Sequence, residues 1–388
     1  MHRVAMVASL LALGIGASAH SQTPHGFASP PGYSGQQDYG SPPGYGPPSG
    51  DQGIPGYPGM RDPNESRAMR MPGPWRMPGA DSEPWTPDSL DAARRLYTVA
   101  DTVVLRGAAL CEGRVKPHPG FRAWSRNDEM ATPTARSAAR VRPADLGVSI
   151  FAIARGGPAE RAGLLPGDRI LSINGETIPA APGAMSVYGA KLEAALARSG
   201  PISFGFDRGG HKSTASVVPA PACDVRVVFT NSPMINAATD GRSVMVMRGL
   251  VNMLQRDDEL ALVVGHELSH NVLGHFARGR ALGHDNPFGP RAEASMREFE
   301  READYVGLYF VALSGYDYES AVESSNRMSK AAPMGDRSSS THPSQAERYA
   351  ALVRAAGEIR AKLARGTALR PNIPTGRAAL ENTPGEAQ

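Results

Sequence analysis

Long apolar runs, cysteines and blocks of basic residues are all scarce in this 388-residue chain, which contains two Cys and 6% aromatic residues. Lys and Arg number 41 against 38 Asp and Glu, so no strongly charged partner is implied. Without a basic block or an aromatic-rich strand, the sequence does not favour a nucleic-acid-binding protein. After the N-terminus no uninterrupted apolar stretch is long enough to span a bilayer, so we expect no integral membrane span in the mature chain.

The N-terminus has the pattern of an export signal. Arg3 gives a short basic start, residues 4–16 form an apolar run, and Ala17-Ser18-Ala19 has the small-x-small form of a signal-peptidase site. An uncleaved anchor is the alternative, and no Cys lies near the cleavage point to support a lipoprotein. We therefore expect a signal peptide at residues 1–19 and an exported protein, in the periplasm and either soluble or associated with a membrane.

Two segments are expected to lack a packed core. Residues 20–85 are dominated by Pro, Gly, Ser, Gln and Tyr, and Pro-Gly-Tyr recurs with a period of twelve. Such a composition buries too little apolar surface to offset its chain entropy. We predict a disordered linker at 20–85, with partner contacts by its Tyr residues as the alternative, and a flexible tail at 367–388.

The chain is organised around the run His266-Glu267-Leu268-Ser269-His270. Residues four apart lie on the same side of a helix, so His266 and His270 can bind one metal ion. Glu267 lies beside them, where it can reach a water at the metal without binding the metal itself. This spacing is typical of zinc peptidases, although two surface or core histidines are the alternative for an isolated match.

A second pattern, of short strands and Gly turns, occupies residues 125–220. Residues 157–175 resemble a PDZ domain: a short helix ends at Gly163, and a turn, a strand and an Asn-Gly hairpin follow. PDZ domains bind extended peptides by adding a strand to a sheet edge. The resemblance therefore implies a peptide or C-terminus as ligand, with the loop Leu146, Gly147, Val148 holding its carboxylate; a spacer domain with an empty groove is the alternative.

The two cysteines, Cys111 and Cys223, flank the PDZ-like module. Exported chains meet an oxidising compartment, so we expect a disulfide between them. Zinc binding by this pair is the weaker alternative, because two isolated cysteines lack the usual ligand count. We predict that the module is inserted into another domain, formed by residues 86–124 and 221–366.

That other domain resembles the M48 family of zinc metallopeptidases. The matching features occur in the family's order: Asn236-Ala237, Asp240-Gly241, a strand, Asp258-Glu259-Leu260-Ala261 and His-Glu-Leu-Ser-His. The resemblance implies an α+β fold: a mainly helical zincin-like metallopeptidase domain with a small β-sheet, interrupted by a mostly β PDZ-like domain. We also expect the strand that includes Val244 to Met247 to be the edge strand with which a substrate pairs.

A helix predicted at about 292–314 carries Glu300, Ala303 and Asp304, which match the family's Glu-x-x-Ala-Asp. The resemblance implies that Glu300 is the third ligand of one Zn²⁺ per chain. Asp304 lies one turn on and is expected to accept a hydrogen bond from a ligand His, which fixes its ring. Solvated helix charge is the alternative for Glu300.

His342 and Arg348 match the family's His-Pro-x-x-x-x-Arg. The resemblance implies that both face the active site and stabilise the developing oxyanion. Alternatively, His342 is a fourth zinc ligand of a latent resting site, or a helix cap. His275 and His284 are assigned structural roles, since His275 lies five residues after His270 and is turned off its helix face.

These patterns predict a zinc metalloendopeptidase that hydrolyses polypeptide substrates. Glu267 is the expected general base, and His342 and Arg348 complete the catalytic set. Misfolded or misassembled envelope proteins are the substrates that the resemblance implies, with the PDZ-like domain recruiting or gating them. The alternative is a latent or inactive metallopeptidase-fold protein that acts as a PDZ adaptor or chaperone-like scaffold; the intact ligand set argues against it.

Overall fold

The computed structural model describes residues 86–125, 147–282, 290–331 and 343–376. Several predictions fall outside these residues and stay predictions: the signal peptide, the linker, Leu146, His342 and the end of the tail. Within the described ranges, no helix combines the length and the apolar character needed to cross a bilayer.

Nine helices and eleven strands are described in these ranges. The helices are α1 (Pro87–Arg106), α2 (Pro158–Arg161), α3 (Ala184–Leu196), α4 (Arg248–Met253), α5 (Asp257–Val272), α6 (His275–Ala281), α7 (Pro290–Leu313), α8 (Tyr318–Ala331) and α9 (Gln345–Ala364). The strands are β1 (Val115–His118), β2 (Phe121–Trp124), β3 (Val148–Ile153), β4 (Arg169–Ile173), β5 (Glu176–Thr177), β6 (Ile202–Arg208), β7 (His211–Val217), β8 (Ala220–Cys223), β9 (Arg226–Thr230), β10 (Ala237–Thr239) and β11 (Ser243–Met247).

The domain formed by the segments on both sides of the PDZ-like part is mainly helical, as the sequence predicts. Helices α1, α5, α7 and α9 enclose one apolar core together with a three-stranded sheet of order β10-β11-β9. Strand β11 is central: it pairs parallel with β9 and antiparallel with β10. The prediction that Val244–Met247 forms an edge strand is therefore wrong, because both sides of its backbone are already paired. Strand β10 is an edge of this sheet and contacts α5.

A second apolar core belongs to the PDZ-like part. Its sheet has the order β2-β3-β4-β6-β7, and β5 pairs with β4. Strand β2 lies before the boundary predicted at residue 125, so this sheet recruits residues from both sides of the gap at 126–146. The fold is thus α+β, with a mostly β module between the two parts of a helical domain.

The PDZ-like sheet packs directly on helix α1. The ring of Phe151 on β3 contacts Tyr97 at a centroid distance of 6.2 Å. Arg122 on β2 donates from Nε and Nη2 to the buried carboxylate of Asp101, at 3.0 and 2.8 Å. The two modules are therefore joined by an interface that has both apolar and charged contacts.

A disulfide joins Cys111 to Cys223, whose Cα atoms are 5.3 Å apart. Strand β1 begins soon after Cys111 and pairs with β8, which ends at Cys223. The bond thus joins the segment that enters the inserted module to the segment that leaves it, as expected from the sequence.

We expect replacement of both cysteines by Ala to lower the free energy of unfolding by about 2–5 kcal/mol. The reason is that the bond closes a loop with a sequence separation of 112 residues and so restricts the unfolded chain. Denaturant-induced unfolding of the two proteins measures the difference. Thiol titration of the unreduced, unfolded protein should find none, and two reactive thiols per chain would contradict the bond.

Candidate active site

The site is built where helices α5 and α7 cross at unusually close range. A Cβ added at Gly265 would lie 2.7 Å from the Gly307 carbonyl oxygen, and one added at Gly307 would lie 2.9 Å from the His266 nitrogen. Both positions therefore require glycine for the helices to approach this closely. The close approach brings the α7 residues one and two turns before Gly307, Asp304 and Glu300, up to the histidines of α5.

Three ligand-type side chains converge at this crossing, and all are buried: His266, His270 and Glu300. The Nε2 atoms of the two histidines are 3.3 Å apart. Glu300 places Oε2 at 3.3 Å from His266 Nε2 and Oε1 at 3.5 Å from His270 Nε2. All three ligand atoms lie within 4.8 Å of one another, which is the arrangement that one metal ion requires.

Asp304 and Arg348 hold the first histidine in place. His266 Nδ1 lies 2.9 Å from Asp304 Oδ1. Arg348 donates to the same carboxylate from Nε at 2.7 Å and from Nη2 at 2.6 Å. Such a partner fixes the tautomer and orientation of a ligand imidazole. Arg348 therefore acts on the site through Asp304, and direct contact with an oxyanion stays a prediction for it.

The second histidine has a partner that the sequence interpretation missed. His275 Nδ1 lies 2.9 Å from His270 Nδ1, and His275 Nε2 lies 2.9 Å from Glu302 Oε2. The prediction that His275 is turned away from His270 is thus wrong. Helix α5 ends at Val272, and Gly274 adopts φ +64° before α6 begins. This break returns the chain towards His270, and the glycine is the sequence signal that could have indicated it.

Burial and neighbouring charge set the protonation of these groups in the metal-free protein. Burial raises the pKa of Glu267 to about 8. Burial alone would lower the pKa of His266, but the hydrogen bonds that its ring donates to the carboxylates of Asp304 and Glu300, together with their negative charge, outweigh burial and raise this pKa to about 10. Because a metal binds neutral imidazole, His266 must release a proton when a cation enters, so metal binding is expected to weaken as the pH falls.

The donor set fits a zinc ion. Two imidazoles and one carboxylate are a ligand set found in catalytic zinc sites, where a fourth position is left for water or substrate. Glu267 is fully buried, and neither of its carboxylate oxygens has a hydrogen-bond partner among the described residues. A buried carboxylate without partners is costly, and a water held at a metal beside it would satisfy these oxygens.

In the PDZ-like part, strand β3 is paired on both sides just after the predicted peptide loop. Ser149, directly after Gly147 and Val148, pairs with Trp124 of β2 and with Arg169 of β4. Both sides of β3 are therefore occupied at this point, and no peptide strand can add there. The expectation that Leu146, Gly147 and Val148 hold a peptide carboxylate stays a prediction, because Leu146 lies outside the described residues.

The geometry is that of a candidate metal site of the His-Glu-x-x-His type, and the comparisons agree with it. Residues 211–287 match the model of peptidase family M48, and residues 150–197 match a PDZ domain model. Both resemblances seen in the sequence are thus confirmed for the residues that each model matches.

Three known proteins illustrate these matches. The mitochondrial metalloendopeptidase OMA1 of Arabidopsis thaliana is 31% identical over 158 residues, which are 33% of this chain and 31% of that protein. The chain thus spans about a third of that relative's length. The HtrA3 PDZ domain bound to a phage-derived ligand is 21% identical, with 28% of this chain and 88% of that chain covered and a TM-score of 0.21. The HtrA-type protease AlgW with a decapeptide is 25% identical, with coverages of 28% and 30% and a TM-score of 0.20.

Proposed function

We propose that this protein is a zinc-dependent endopeptidase that cleaves misfolded or misassembled exported proteins. The observation that carries the proposal is the convergence of His266, His270 and Glu300 beside the carboxylate of Glu267, which has no hydrogen-bond partner in the part of the chain that the structure describes. The Arabidopsis relative is named a metalloendopeptidase, which supports the same chemistry for this chain.

The roles of the residues follow from their positions. When bound, zinc supplies Lewis acidity, which activates water and polarises the peptide carbonyl. Glu267 accepts the proton of the attacking water and delivers it to the leaving amide nitrogen. Asp304, held by Arg348, keeps His266 in the tautomer that presents Nε2 to the metal.

Substrate binding requires an extended peptide next to α5. Strand β10 is the edge of its sheet and contacts α5, so a substrate backbone would pair with β10 rather than with Val244–Met247. The PDZ domain, which packs on α1 of the peptidase part, would recruit or gate such substrates. Exported substrates and the periplasm are supported by the signal-peptide pattern at residues 1–19.

The test is cleavage of one exported model protein offered in folded and in unfolded form. We expect the unfolded form to be cut, cutting to stop when a chelator removes the metal, and zinc to restore it. Cleavage that persists in the fully metal-depleted protein would overturn the proposal. Binding of the unfolded protein without cleavage, at full zinc occupancy, would instead favour the scaffold function.

A further inference from the structure

We propose that His275, Glu302 and Arg278 form a positioning relay for the zinc ligand His270. The inference rests on the proposed zinc site and extends it to three residues that lie outside the ligand set. The relay is defined by the hydrogen bonds from His270 to His275, from His275 to Glu302, and from Arg278 to Glu302.

The direction of each hydrogen bond follows from the ligand geometry. Since the Nε2 atoms of His266 and His270 both face Glu300, these atoms are the metal-binding ones. His270 must then carry its proton on Nδ1 and donate it to Nδ1 of His275. His275 in turn carries its proton on Nε2, which donates to Glu302 Oε2. A single tautomer of each ring satisfies both bonds.

The outer end of the relay is fixed by charge and by packing. Arg278 donates to Glu302 from Nη1 at 2.5 Å and from Nη2 at 3.2 Å. The ring of Phe299 stacks on His275 at 4.5 Å and 13°, and the Arg278 guanidinium lies 4.8 Å from the same ring. His275 is itself buried. The imidazole therefore has little freedom to rotate away from His270.

The hydrogen-bond partners of His270 resemble those of the other ligand histidine, His266. His266 is held by a carboxylate that an arginine clamps, Asp304 with Arg348. His270 is held by the equivalent carboxylate and arginine pair, Glu302 with Arg278, through one additional imidazole. Both zinc-ligand rings are thus oriented from behind by an ion pair, which favours high affinity for the metal.

Two conservative variants of His275 distinguish the effect of its hydrogen bonds from the effect of its packing. His275→Asn keeps an acceptor oxygen where ring Nδ1 faces His270, whereas His275→Gln keeps a donor that reaches Glu302 but loses that acceptor. We expect His275→Gln to weaken zinc binding by about 10–100-fold, and His275→Asn to weaken it less. Glu302→Gln should also weaken it, and Glu298→Gln, an exposed carboxylate on the same helix, should not.

The measurements are made on the full chain: the zinc dissociation constant by competition with a chromophoric chelator, and the visible spectrum of the Co²⁺-substituted protein. Melting of the metal-free variants controls for loss of packing. If His275→Gln has the same zinc affinity and the same Co²⁺ spectrum as the unaltered protein, the relay is refuted. The proposed function is not affected by that result. The relay is also refuted if both variants lose zinc affinity equally and in proportion to the fall in their melting temperatures. An unaltered protein that binds no zinc would overturn the proposed function as well.

Discussion

The Glu267→Gln variant is expected to lose peptide cleavage by about 10²–10⁴-fold while it binds zinc as tightly as the unaltered protein. Glu267 lies next to His266 on α5 but outside the trio of ligand atoms, so its loss removes a proton acceptor and no metal ligand. Gln has the same shape and cannot accept the proton of the attacking water. Initial rates on an unfolded model protein, with zinc content measured on the same samples, give both quantities.

The matched control for this variant is Glu298→Gln, which neutralises an exposed carboxylate paired with Arg301 and should cut at the normal rate. Cleavage retained by Glu267→Gln would refute its role as general base. Loss of zinc together with cleavage would make Glu267 a ligand instead. If neither protein cuts although both hold zinc, the site is latent and the PDZ domain becomes the place to look for function.

Helical spacing explains why the sequence predicts most of the metal site. His266 and His270 are four residues apart, and Asp304 follows Glu300 by four, so each pair lies on one helix face whatever the rest of the fold does. The close approach of the two helices could not be predicted in this way. It depends on Gly265 and Gly307, and only the structure shows that each of them faces the other helix.

The sequence pattern does not indicate the contact between His275 and His270, because an uninterrupted helix would place the two side chains on different faces. Five residues at about 100° each would turn His275 well away from His270. The break at Gly274 starts a new helix and reverses that conclusion. A local signal was present, since a glycine just past a helix end commonly adopts a positive φ, but the direction in which the chain continues is set by packing against α7.

The order of the strands in the sheet also cannot be predicted from the local sequence pattern. The sequence predicts strands near 225–229 and 243–246, and both exist as β9 and β11. Their parallel pairing, with β10 outside them, depends on contacts between segments that no local periodicity encodes. The same limit applies to β2, which joins the PDZ-like sheet although the interval 126–146 separates it from β3 in sequence.

Glu300→Gln is expected to abolish both zinc binding and cleavage, in contrast to Glu267→Gln, which should abolish cleavage alone. The Glu300 carboxylate is buried between the two ligand imidazoles and is the acidic member of the trio. An amide of the same shape lacks the negative charge that binds the dication, so the loss should exceed the about 10–100-fold typical of outer partners.

Zinc content after dialysis, and the dissociation constant by chelator competition, measure this effect. Glu298→Gln, one half-turn away on α7 and exposed, serves as the control and should retain full zinc. Stoichiometric zinc in Glu300→Gln, at unchanged affinity, would remove Glu300 from the ligand set. The metal would then be held by His266 and His270 with a different third residue, and the site could no longer be described as two histidines and a glutamate on crossing helices.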